Sequence, residues 1–326
     1  MQQHETLFAD LRAGDRSALG RAITLIESER AADHSRARTL IDQCLALHIG
    51  SLRIGITGIP GVGKSTFIDA LGSWYLQQGH RVAVLAIDPS SPRSGGSILG
   101  DKTRMERLSV DDRAFVRPTA AAGNLGGVGR RTRESILLCE TAGYDRVIIE
   151  TVGTGQNELD VDGLCDVNVL LLLAGAGDEL QGIKRGIMES ADVVAFTKVE
   201  AENAQRAEAA RRELRNALSL LPPRPSGRSA EVFLTSALEG AGIADVARHI
   251  EQLATLDRAS GQFASRRHVQ GVQWMEQALR TGIERALVQD ERMQALRMRL
   301  NDEVMAGKKS PLVAADELLL RFRTGA

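Results

Sequence analysis

Short apolar runs alternate with stretches of helical spacing from Leu52 to about residue 235. Most of these runs are nearly continuous and rich in Val, Ile and Leu, a pattern typical of strands that are buried on both faces. Strands that alternate with helices predict an α/β fold, a mostly parallel sheet with helices on both faces. The predicted strands are LRIGIT, RVAVLAID, AFVRP, DRVIIE, VNVLLLL, DVVAFT and EVFLT.

The two ends of the chain have a helical pattern. Residues 1–50 alternate apolar and charged positions at helical spacing, and Asp15 is expected to cap a second helix. After Gly240 the helical pattern continues nearly to the end of the chain. The sequence therefore predicts an N-terminal helical extension over 1–50, a strand-containing domain over 51–258 and a C-terminal helical arm over 259–326.

An apolar stripe runs along the predicted arm. The sequence leaves two interpretations open, which are packing onto the rest of the chain and contact with a second copy in a homodimer. The stripe consists of Trp274, Met275, Leu279, Ile283 and Leu287.

Composition and charge exclude several classes of protein. Hydrophobic residues make up 43% of the 326 residues and charged residues 25%, which excludes a disordered or fibrous chain. A net charge of -1 and an aromatic content of 3% disfavour nucleic acid as a partner. Three cysteines without a CxxC pair indicate a reducing compartment. Because no apolar run reaches membrane length and no signal-peptide pattern is present, we expect a cytoplasmic protein with no membrane association.

A phosphate-binding motif follows the first predicted strand. The segment GIPGVGKST contains GxxxxGKS between a strand and a helix, the context in which this motif forms a P-loop. Its backbone N–H groups are expected to face phosphate, while Lys64 reaches the β- and γ-phosphates and Ser65 ligates Mg²⁺. The predicted nucleotide-binding residues of this motif are Gly58, Pro60, Gly61, Val62, Gly63, Lys64, Ser65 and Thr66.

Carboxylates follow at the ends of later strands. Asp88 ends the second predicted strand, where ligands usually bind in such sheets. Glu150 ends the fourth strand in an ExxG motif, so it is expected to hold Mg²⁺ or orient the attacking water, and Gly153 to donate its N–H to the γ-phosphate. Asp101 follows a Gly-rich stretch that is expected to close over the nucleotide.

Two further elements are similar to motifs that read guanine. Thr197, Lys198 and Glu200 end the sixth strand as TKVE, where guanine-binding proteins carry (N/T)KxD. In that motif the lysine stem packs on the base and the aspartate accepts hydrogen bonds from guanine N1 and N2. Glu200 keeps the carboxylate with one more methylene, while Ser236 and Ala237 resemble the SA element behind guanine O6. The sequence therefore favours GTP over ATP.

A long segment with four glycines, AGAGDELQGIKRGIMES, lies between the fifth and sixth predicted strands. Asp178, Glu179, Lys184 and Arg185 supply its charge. At the ligand edge of a sheet, such a segment is expected to act as a mobile switch or to form a solvated surface loop.

Together, GIPGVGKST, AIDPSS, GGSILGDKTRM, ETVGTGQ and GAGDELQGIKRGI resemble the MeaB/ArgK family of P-loop GTPases. The resemblance implies the SIMIBI class of the P-loop NTPase fold, GTP/GDP and Mg²⁺ as ligands, and a homodimer formed through the C-terminal helices. It further implies that Lys64, Asp88, Asp101 and Glu150 form the nucleotide and Mg²⁺ site. It also implies that Lys184 approaches the nucleotide from a third switch.

The resemblance also implies a function. Proteins of this family are GTP-hydrolysing chaperones that gate adenosylcobalamin loading and protect or reactivate an adenosylcobalamin-dependent acyl-CoA mutase. The client is a methylmalonyl-CoA, isobutyryl-CoA or hydroxyisobutyryl-CoA mutase, and a cobalamin adenosyltransferase is the second implied partner. Hydrolysis is expected to be slow alone and stimulated by the mutase. The chain departs from the NKxD of the family at TKVE, which makes Glu200 the residue that bears on guanine selectivity.

Two other functions use the same P-loop. A nickel metallochaperone GTPase needs clustered soft or imidazole ligands, whereas the six His residues are scattered and the three Cys residues are isolated. A small-molecule kinase would use ATP and an arginine lid, for which Arg93, Arg104 and Arg107 are available. The guanine-type elements disfavour the kinase.

Overall fold

The strands and helices follow the predicted alternation. The computed structural model describes residues 2–28, 30–47, 50–88, 105–120, 127–151, 161–173, 185–222, 224 and 226–324. The strands are β1 Leu52–Gly58, β2 Val82–Asp88, β3 Ala114–Ala120, β4 Arg146–Thr151, β5 Val167–Leu173, β6 Val193–Thr197 and β7 Glu231–Leu234. The helices are α1 Gln2–Arg12, α2 Arg16–Glu27, α3 Ala31–Leu45, α4 Lys64–Gln77, α5 Glu106–Val110, α6 Gly127–Thr141, α7 Arg185–Ser190, α8 Ala204–Ser219, α9 Ile243–Ser260, α10 Gln262–Gln289, α11 Glu291–Met305 and α12 Pro311–Thr324.

The described strands form one seven-stranded sheet in the order β3-β2-β4-β1-β5-β6-β7. Every neighbouring pair is parallel. The carboxyl ends of the strands therefore share one edge, which we call the carboxyl edge, and the strand starts form the amino edge. The chain builds β2, β3 and β4 on one side of β1 and β5, β6 and β7 on the other, so β1 lies at the switch point where such sheets bind ligands.

Helices cover both faces of the sheet because apolar side chains on its strands point to both faces. On one face, Leu52, Ile54 and Ile56 of β1 belong to a buried cluster with residues of α4 and α9. On the other face, Leu170 and Leu172 of β5 pack with α7 and α8. The predicted fold class, a mostly parallel sheet with helices on both faces and at both ends of the chain, is confirmed.

The N-terminal helices pack against α6. Both α2 and α3 contact this helix, which in turn contacts β2, β3 and β4. The predicted cap at Asp15 is confirmed, since its carboxylate accepts hydrogen bonds from the N–H groups of Ser17 at 2.7 Å and Ala18 at 3.1 Å. Capping satisfies N–H groups that the first turn of a helix leaves without an intrahelical partner.

The contacts divide the chain into two compact units. The first contains the sheet and ends at Gly271, and the second runs from Val272 to Ala326. In the second unit, Lys309 binds the carboxylates of Glu303 at 2.7 Å and Glu317 at 2.6 Å, which joins α11 to α12. The boundaries predicted at 50 and 258 stay predictions. Within the described parts of the chain, the helices are too short or too polar to cross a lipid bilayer.

A network of ion pairs, the amino-edge network, lies where β1, β5 and β6 begin. Arg53 of β1 binds Glu140 through two hydrogen bonds of 2.8 and 2.9 Å. Arg267 of α10 binds Asp166, which precedes β5, through two hydrogen bonds of 2.9 and 2.7 Å. The network consists of Arg53, Glu140, Asp162, Asp166, Asp192, Arg224, Arg266 and Arg267.

The amino-edge network is largely removed from water. Glu140 and Asp166 are buried, each 3% exposed. Burial by itself lowers the pKa of the Arg266 guanidinium, but the carboxylates of Asp192 and Asp162 raise it above its ordinary value. The network therefore fixes the start of α10 to the strand starts through charges that neutralise one another.

Candidate active site

The phosphate-binding motif forms a turn between β1 and α4. Gly58 has a φ of +146°, and a Cβ atom there would lie 2.7 Å from the carbonyl oxygen of Leu171. Gly63, which precedes α4, also has a positive φ, +96°. Glycine suits both positions, since side chains disfavour this region and Gly58 has no room for one. The motif therefore brings the first turn of α4 to the carboxyl edge at the central strand.

Lys64 lies across this turn. Its side chain is buried, and Nζ donates to the carbonyl oxygens of Gly58 at 2.7 Å and Ile59 at 3.1 Å. Charged hydrogen bonds to phosphate oxygens are stronger than those to neutral carbonyls. The ammonium group is thus held beside the loop by acceptors that a phosphate can replace.

Ser65 and Glu150 meet beside Lys64. The Ser65 hydroxyl donates to Oε1 of Glu150 at 3.3 Å. The pair forms because β4 lies next to β1, with Glu150 opposite Ile56 in the register, so its carboxylate faces the start of α4. A hydroxyl and a buried carboxylate at a helix N-terminus are the oxygen ligands that Mg²⁺ prefers.

The TKVE segment is hydrogen-bonded to the phosphate-binding turn. The Thr197 hydroxyl donates to the carbonyl oxygen of Val62 at 2.6 Å. The Lys198 ammonium donates to the carbonyl oxygen of Gly61 at 2.8 Å. Two side chains at the end of β6 therefore support the backbone of the loop that follows β1.

A cavity of about 130 Å³ opens between these elements. Most of the predicted nucleotide-binding residues line it, and the rest of the P-loop residues lie next to it in the turn and the first turn of α4. The cavity is lined by Val62, Gly63, Thr66, Thr197, Lys198, Glu200, Ser236, Ala237 and Leu238. The adjacent P-loop residues are Gly58, Pro60, Gly61, Lys64 and Ser65. The structure therefore brings together the two motifs that were predicted to contact phosphate and base.

Two residues near the cavity were missed by the sequence analysis. Leu238 follows the SA element directly and is one of the cavity-lining residues. Asn203 hydrogen-bonds to the backbone of Lys198 and Glu200. Its position just before α8 could have drawn attention to it, but an Asn at that position is typical of an ordinary helix cap.

Several predicted site residues lie outside the described residues. These are Asp101, Gly153, Lys184 and the switch segment from Asp178. Asp88 ends β2 two residues after Ala86, which lies opposite Glu150 of β4, but the Asp88 side chain is not among those described. The roles predicted for these residues stay predictions.

The described residues offer little for a soft-metal site. In the described ranges, the His, Cys, Asp and Glu side chains form no cluster of three or more that could hold a metal ion. Cys44, Cys139 and Cys165 are free and buried. Burial raises the pKa of the Cys139 and Cys165 thiols, which disfavours the thiolate that a soft metal binds. No described feature supports the nickel alternative.

Comparisons with known proteins complete the description of the site. The family model for the methylmalonyl-CoA mutase-associated GTPase MeaB matches residues 19–292. GTPase ArgK of Escherichia coli is 44% identical over 81% of this chain and 80% of that protein. The mitochondrial methylmalonic aciduria type A homolog of Mus musculus is 40% identical over 98% of this chain and 80% of that protein. A crystal structure of a LAO/AO transport system kinase matches with a TM-score of 0.77 and 31% identity, covering 99% of this chain and 98% of the other.

Proposed function

Because the chain belongs to the family of methylmalonyl-CoA mutase-associated GTPases, which confirms the resemblance, we propose that it is a chaperone of an adenosylcobalamin-dependent acyl-CoA mutase. As a GTPase it hydrolyses GTP to GDP and phosphate. In the proposed role, this reaction gates adenosylcobalamin loading and protects or reactivates the mutase, with a cobalamin adenosyltransferase as a second partner. The observation that carries the proposal is the cavity in which the P-loop meets the TKVE segment.

The proposed reaction begins with phosphate binding at the turn after β1. Lys64 exchanges the carbonyl oxygens of Gly58 and Ile59 for the β- and γ-phosphates, a stronger set of acceptors. The backbone N–H groups of the loop and the first turn of α4 add further donors. Binding at this point holds the γ-phosphate next to Glu150.

Ser65 and Glu150 fit Mg²⁺, since a hydroxyl and a carboxylate oxygen lie 3.3 Å apart at the start of α4. When bound, Mg²⁺ supplies neutralisation of the charge that develops on the phosphates. Asp88 and Asp101 are proposed as further members of this site. Glu150 also orients the attacking water, and Gly153 donates its N–H to the γ-phosphate.

Base recognition is assigned to the part of the cavity that the TKVE segment and the SA element line. The Lys198 stem packs on the base and Glu200 accepts hydrogen bonds from guanine N1 and N2, with Ser236 and Ala237 behind O6. All four residues line the cavity, which supports guanine as the base. The chain is therefore expected to prefer GTP over ATP.

The partner is proposed from the family and from the mouse relative, whose name links that protein to methylmalonic aciduria. Hydrolysis is slow in the isolated GTPase, and the mutase stimulates it when Lys184 approaches the nucleotide from the third switch. Such an added positive charge stabilises the transition state of phosphoryl transfer.

A homodimer formed through the C-terminal arm, 259–326, is the third element of the proposal. Val272, Met275, Leu279 and Ile283 lie on one face of α10 and are exposed, Met275 by 63% and Leu279 by 62%. Trp274 and Leu287, also predicted for the stripe, are half-buried. Apolar residues exposed in a row are typical of an interface between proteins.

Light scattering tests the dimer. Met275→Glu with Leu279→Glu is expected to give a monomer, because two charges would be buried in the interface. The matched control is Gln273→Glu, an exposed position about 100° around the same helix. A double variant that stays dimeric would contradict the role of this face.

The central experiment measures phosphate release from GTP and ATP, with and without purified methylmalonyl-CoA mutase. Slow release from GTP alone, a large stimulation by the mutase and little release from ATP are expected. Lys184→Ala should remove the stimulation and keep the basal rate, with Lys308→Ala as the control. Release that the mutase does not change would contradict the chaperone proposal.

A pull-down identifies the client in cells. The tagged protein, held on a non-hydrolysable GTP analogue, is expected to retain an acyl-CoA mutase that the ATP analogue does not retain. Recovery of a nickel-enzyme precursor would favour the metallochaperone. Phosphate transfer to a small acceptor, instead of release to water, would favour the kinase.

A further inference from the structure

We infer that Asn203 is a positioning residue for base recognition, which holds Lys198 and Glu200 in the conformation that presents both side chains to the cavity. This inference rests on the proposed function, because it concerns the segment that is proposed to read guanine. Asn203 itself is not among the described residues that line the cavity. It acts through the two residues that do.

The Asn203 side chain binds both ends of the segment. Its Oδ1 atom accepts a hydrogen bond from the backbone N–H of Glu200 at 2.9 Å. Its Nδ2 atom donates to the backbone carbonyl of Lys198 at 2.9 Å. One planar amide thus closes a small ring with the Lys198–Glu200 backbone, and a side chain with only a donor or only an acceptor cannot make both contacts.

The segment has a conformation that needs such support. Lys198 has a φ of 56°, and among the described residues it is the one non-glycine residue with a positive φ. Side chains with this backbone conformation are disfavoured and persist where neighbouring contacts hold them, most often at functional sites. Here the contacts are the two Asn203 hydrogen bonds and the Val199 N–H bond to the Thr235 carbonyl oxygen at 3.0 Å.

Asn203 makes these contacts instead of capping the helix that follows it, α8. It directly precedes α8, where an Asn side chain normally accepts from the N–H groups of the first turn. Within the described chain its side chain makes no such capping bond, and its backbone has φ and ψ of -115° and 2° instead of the extended values of a cap. The side chain therefore serves the TKVE segment and not the helix.

Both cavity-lining residues depend on this backbone. Lys198 must direct its stem along the cavity while Nζ reaches the carbonyl oxygen of Gly61 at 2.8 Å. Glu200 has one methylene more than the aspartate of the NKxD motif, so the position of its backbone decides whether the carboxylate can reach two donors on the base. Loss of the two Asn203 hydrogen bonds is expected to weaken the contacts with the base and to leave the contacts with phosphate intact.

The experiment compares Asn203→Ser and Asn203→Asp with the parent protein by isothermal titration calorimetry. The Ser hydroxyl ends one bond short of the amide atoms of Asn, and the Asp carboxylate has no donor, so neither side chain can make both contacts. Ser and Asp are both good helix caps, so neither change should weaken α8. GDP is expected to bind about tenfold more weakly to both variants, the effect of losing about one hydrogen bond between the base and the charged Glu200 carboxylate. Affinity for inorganic pyrophosphate should stay within about twofold.

Binding of inosine diphosphate (IDP) separates a role in base recognition from a purely structural role, which would not change the ratio of the IDP and GDP dissociation constants. Inosine lacks the N2 amino group of guanine, so the ratio of IDP to GDP dissociation constants reports the contact of Glu200 with N2. This ratio is expected to fall toward one in both variants. Asn216→Ser, at an exposed position of α8 far along the helix, is the matched control and should change neither ratio nor affinity.

Two results would overturn the inference. One is unchanged GDP affinity in both Asn203 variants, and the other is an equal loss of GDP and pyrophosphate affinity together with a lower unfolding temperature. The parent protein separates this test from the proposed function. If the parent protein binds ADP as well as GDP, the guanine proposal fails. The role of Asn203 is then still decided by whether the variants lose affinity for nucleoside diphosphates but keep their affinity for pyrophosphate.

Discussion

The two edges of the parallel sheet hold charge in different ways. At the amino edge, buried Asp166 is bound by Arg267 through two hydrogen bonds, and Glu140 is bound in the same way by Arg53. At the carboxyl edge, by contrast, the ammonium group of Lys64 donates to the backbone carbonyls of Gly58 and Ile59. One edge pairs opposite charges, whereas the two described hydrogen bonds of Lys64 at the other edge end at neutral carbonyl oxygens.

This difference separates stability from ligand exchange. Removal of one partner of a buried ion pair leaves an uncompensated charge, which costs several kcal/mol of stability. A carbonyl that loses an ammonium donor costs far less, and the ammonium gains when a phosphate takes the place of the carbonyl. We therefore expect changes at the amino edge to alter unfolding and changes at the carboxyl edge to alter nucleotide binding and hydrolysis.

The largest effect is expected for Lys64→Ala. The value of kcat/KM for GTP should fall about a thousandfold, because a positive charge on the transferring phosphate is lost. The free energy of unfolding should change by about 1 kcal/mol or less, because removal of the buried ammonium also removes the cost of burying its charge, which offsets the lost hydrogen bonds to Gly58 and Ile59. Phosphate release and urea denaturation measure the two quantities. A stability loss comparable to that of an amino-edge variant would remove the contrast between the edges.

Arg267→Met makes the opposite change. It keeps an unbranched apolar stem but removes the guanidinium from buried Asp166, so the free energy of unfolding should fall by about 3 kcal/mol. GDP affinity should be unchanged, because the residue lies at the other edge. The control is Arg248→Met, since Arg248 and its partner Asp245 have side chains that are 65% and 60% exposed. Loss of that surface pair should cost about 0.5 kcal/mol or less in the same denaturation experiment.

Thr197→Val tests the link between the TKVE segment and the P-loop. The change keeps the shape of the side chain and removes the hydrogen bond to the Val62 carbonyl oxygen. GDP affinity should fall about fivefold, close to the effect of one hydrogen bond of about 1 kcal/mol. Thr39→Val removes a comparable bond to a carbonyl within α3 and should leave GDP affinity alone. Calorimetric titration of both variants decides whether the link matters for binding.

Glu200→Asp is expected to have the smallest effect, and in the favourable direction. It removes the extra methylene and restores the carboxylate of the NKxD motif, so GDP should bind about threefold more tightly. Glu200→Gln is the control, because it keeps the length of the side chain but loses the negative charge and should weaken binding. Unchanged or weaker GDP binding by Glu200→Asp would show that the Lys198–Glu200 backbone is adapted to glutamate.

The fold could be predicted from the sequence because its signal is local. The run VNVLLLL, for example, is too short for a typical helix and too apolar for an exposed strand, and the structure places it as β5 between β1 and β6. The order of the strands could not be predicted in the same way, because it depends on contacts between runs that lie far apart in the chain. The length of each apolar run carries no information about its neighbours in the sheet.

The same distinction applies to the site. Lys64, Thr197 and Glu200 belong to motifs with fixed spacing, so their shared location at the carboxyl edge could be expected from parallel strands. The location of Asn203 beside the cavity could not be expected, because an Asn before a helix is typical of a helix cap. The ion pair of Asp166 and Arg267 could not be predicted either. The two residues are 101 positions apart, and each looks like an ordinary charged residue in the sequence.

That separation along the chain has a consequence for synthesis on the ribosome. At about 5–20 residues per second, Arg267 leaves the ribosome about 5–20 s after Asp166. The P-loop leaves the ribosome before Asp166, and the TKVE segment follows Asp166 by 31 to 34 residues, so both precede Arg267, the residue that Asp166 still lacks. The nucleotide-binding edge is therefore encoded first, and the charge balance of the opposite edge is completed only as the final helices are translated.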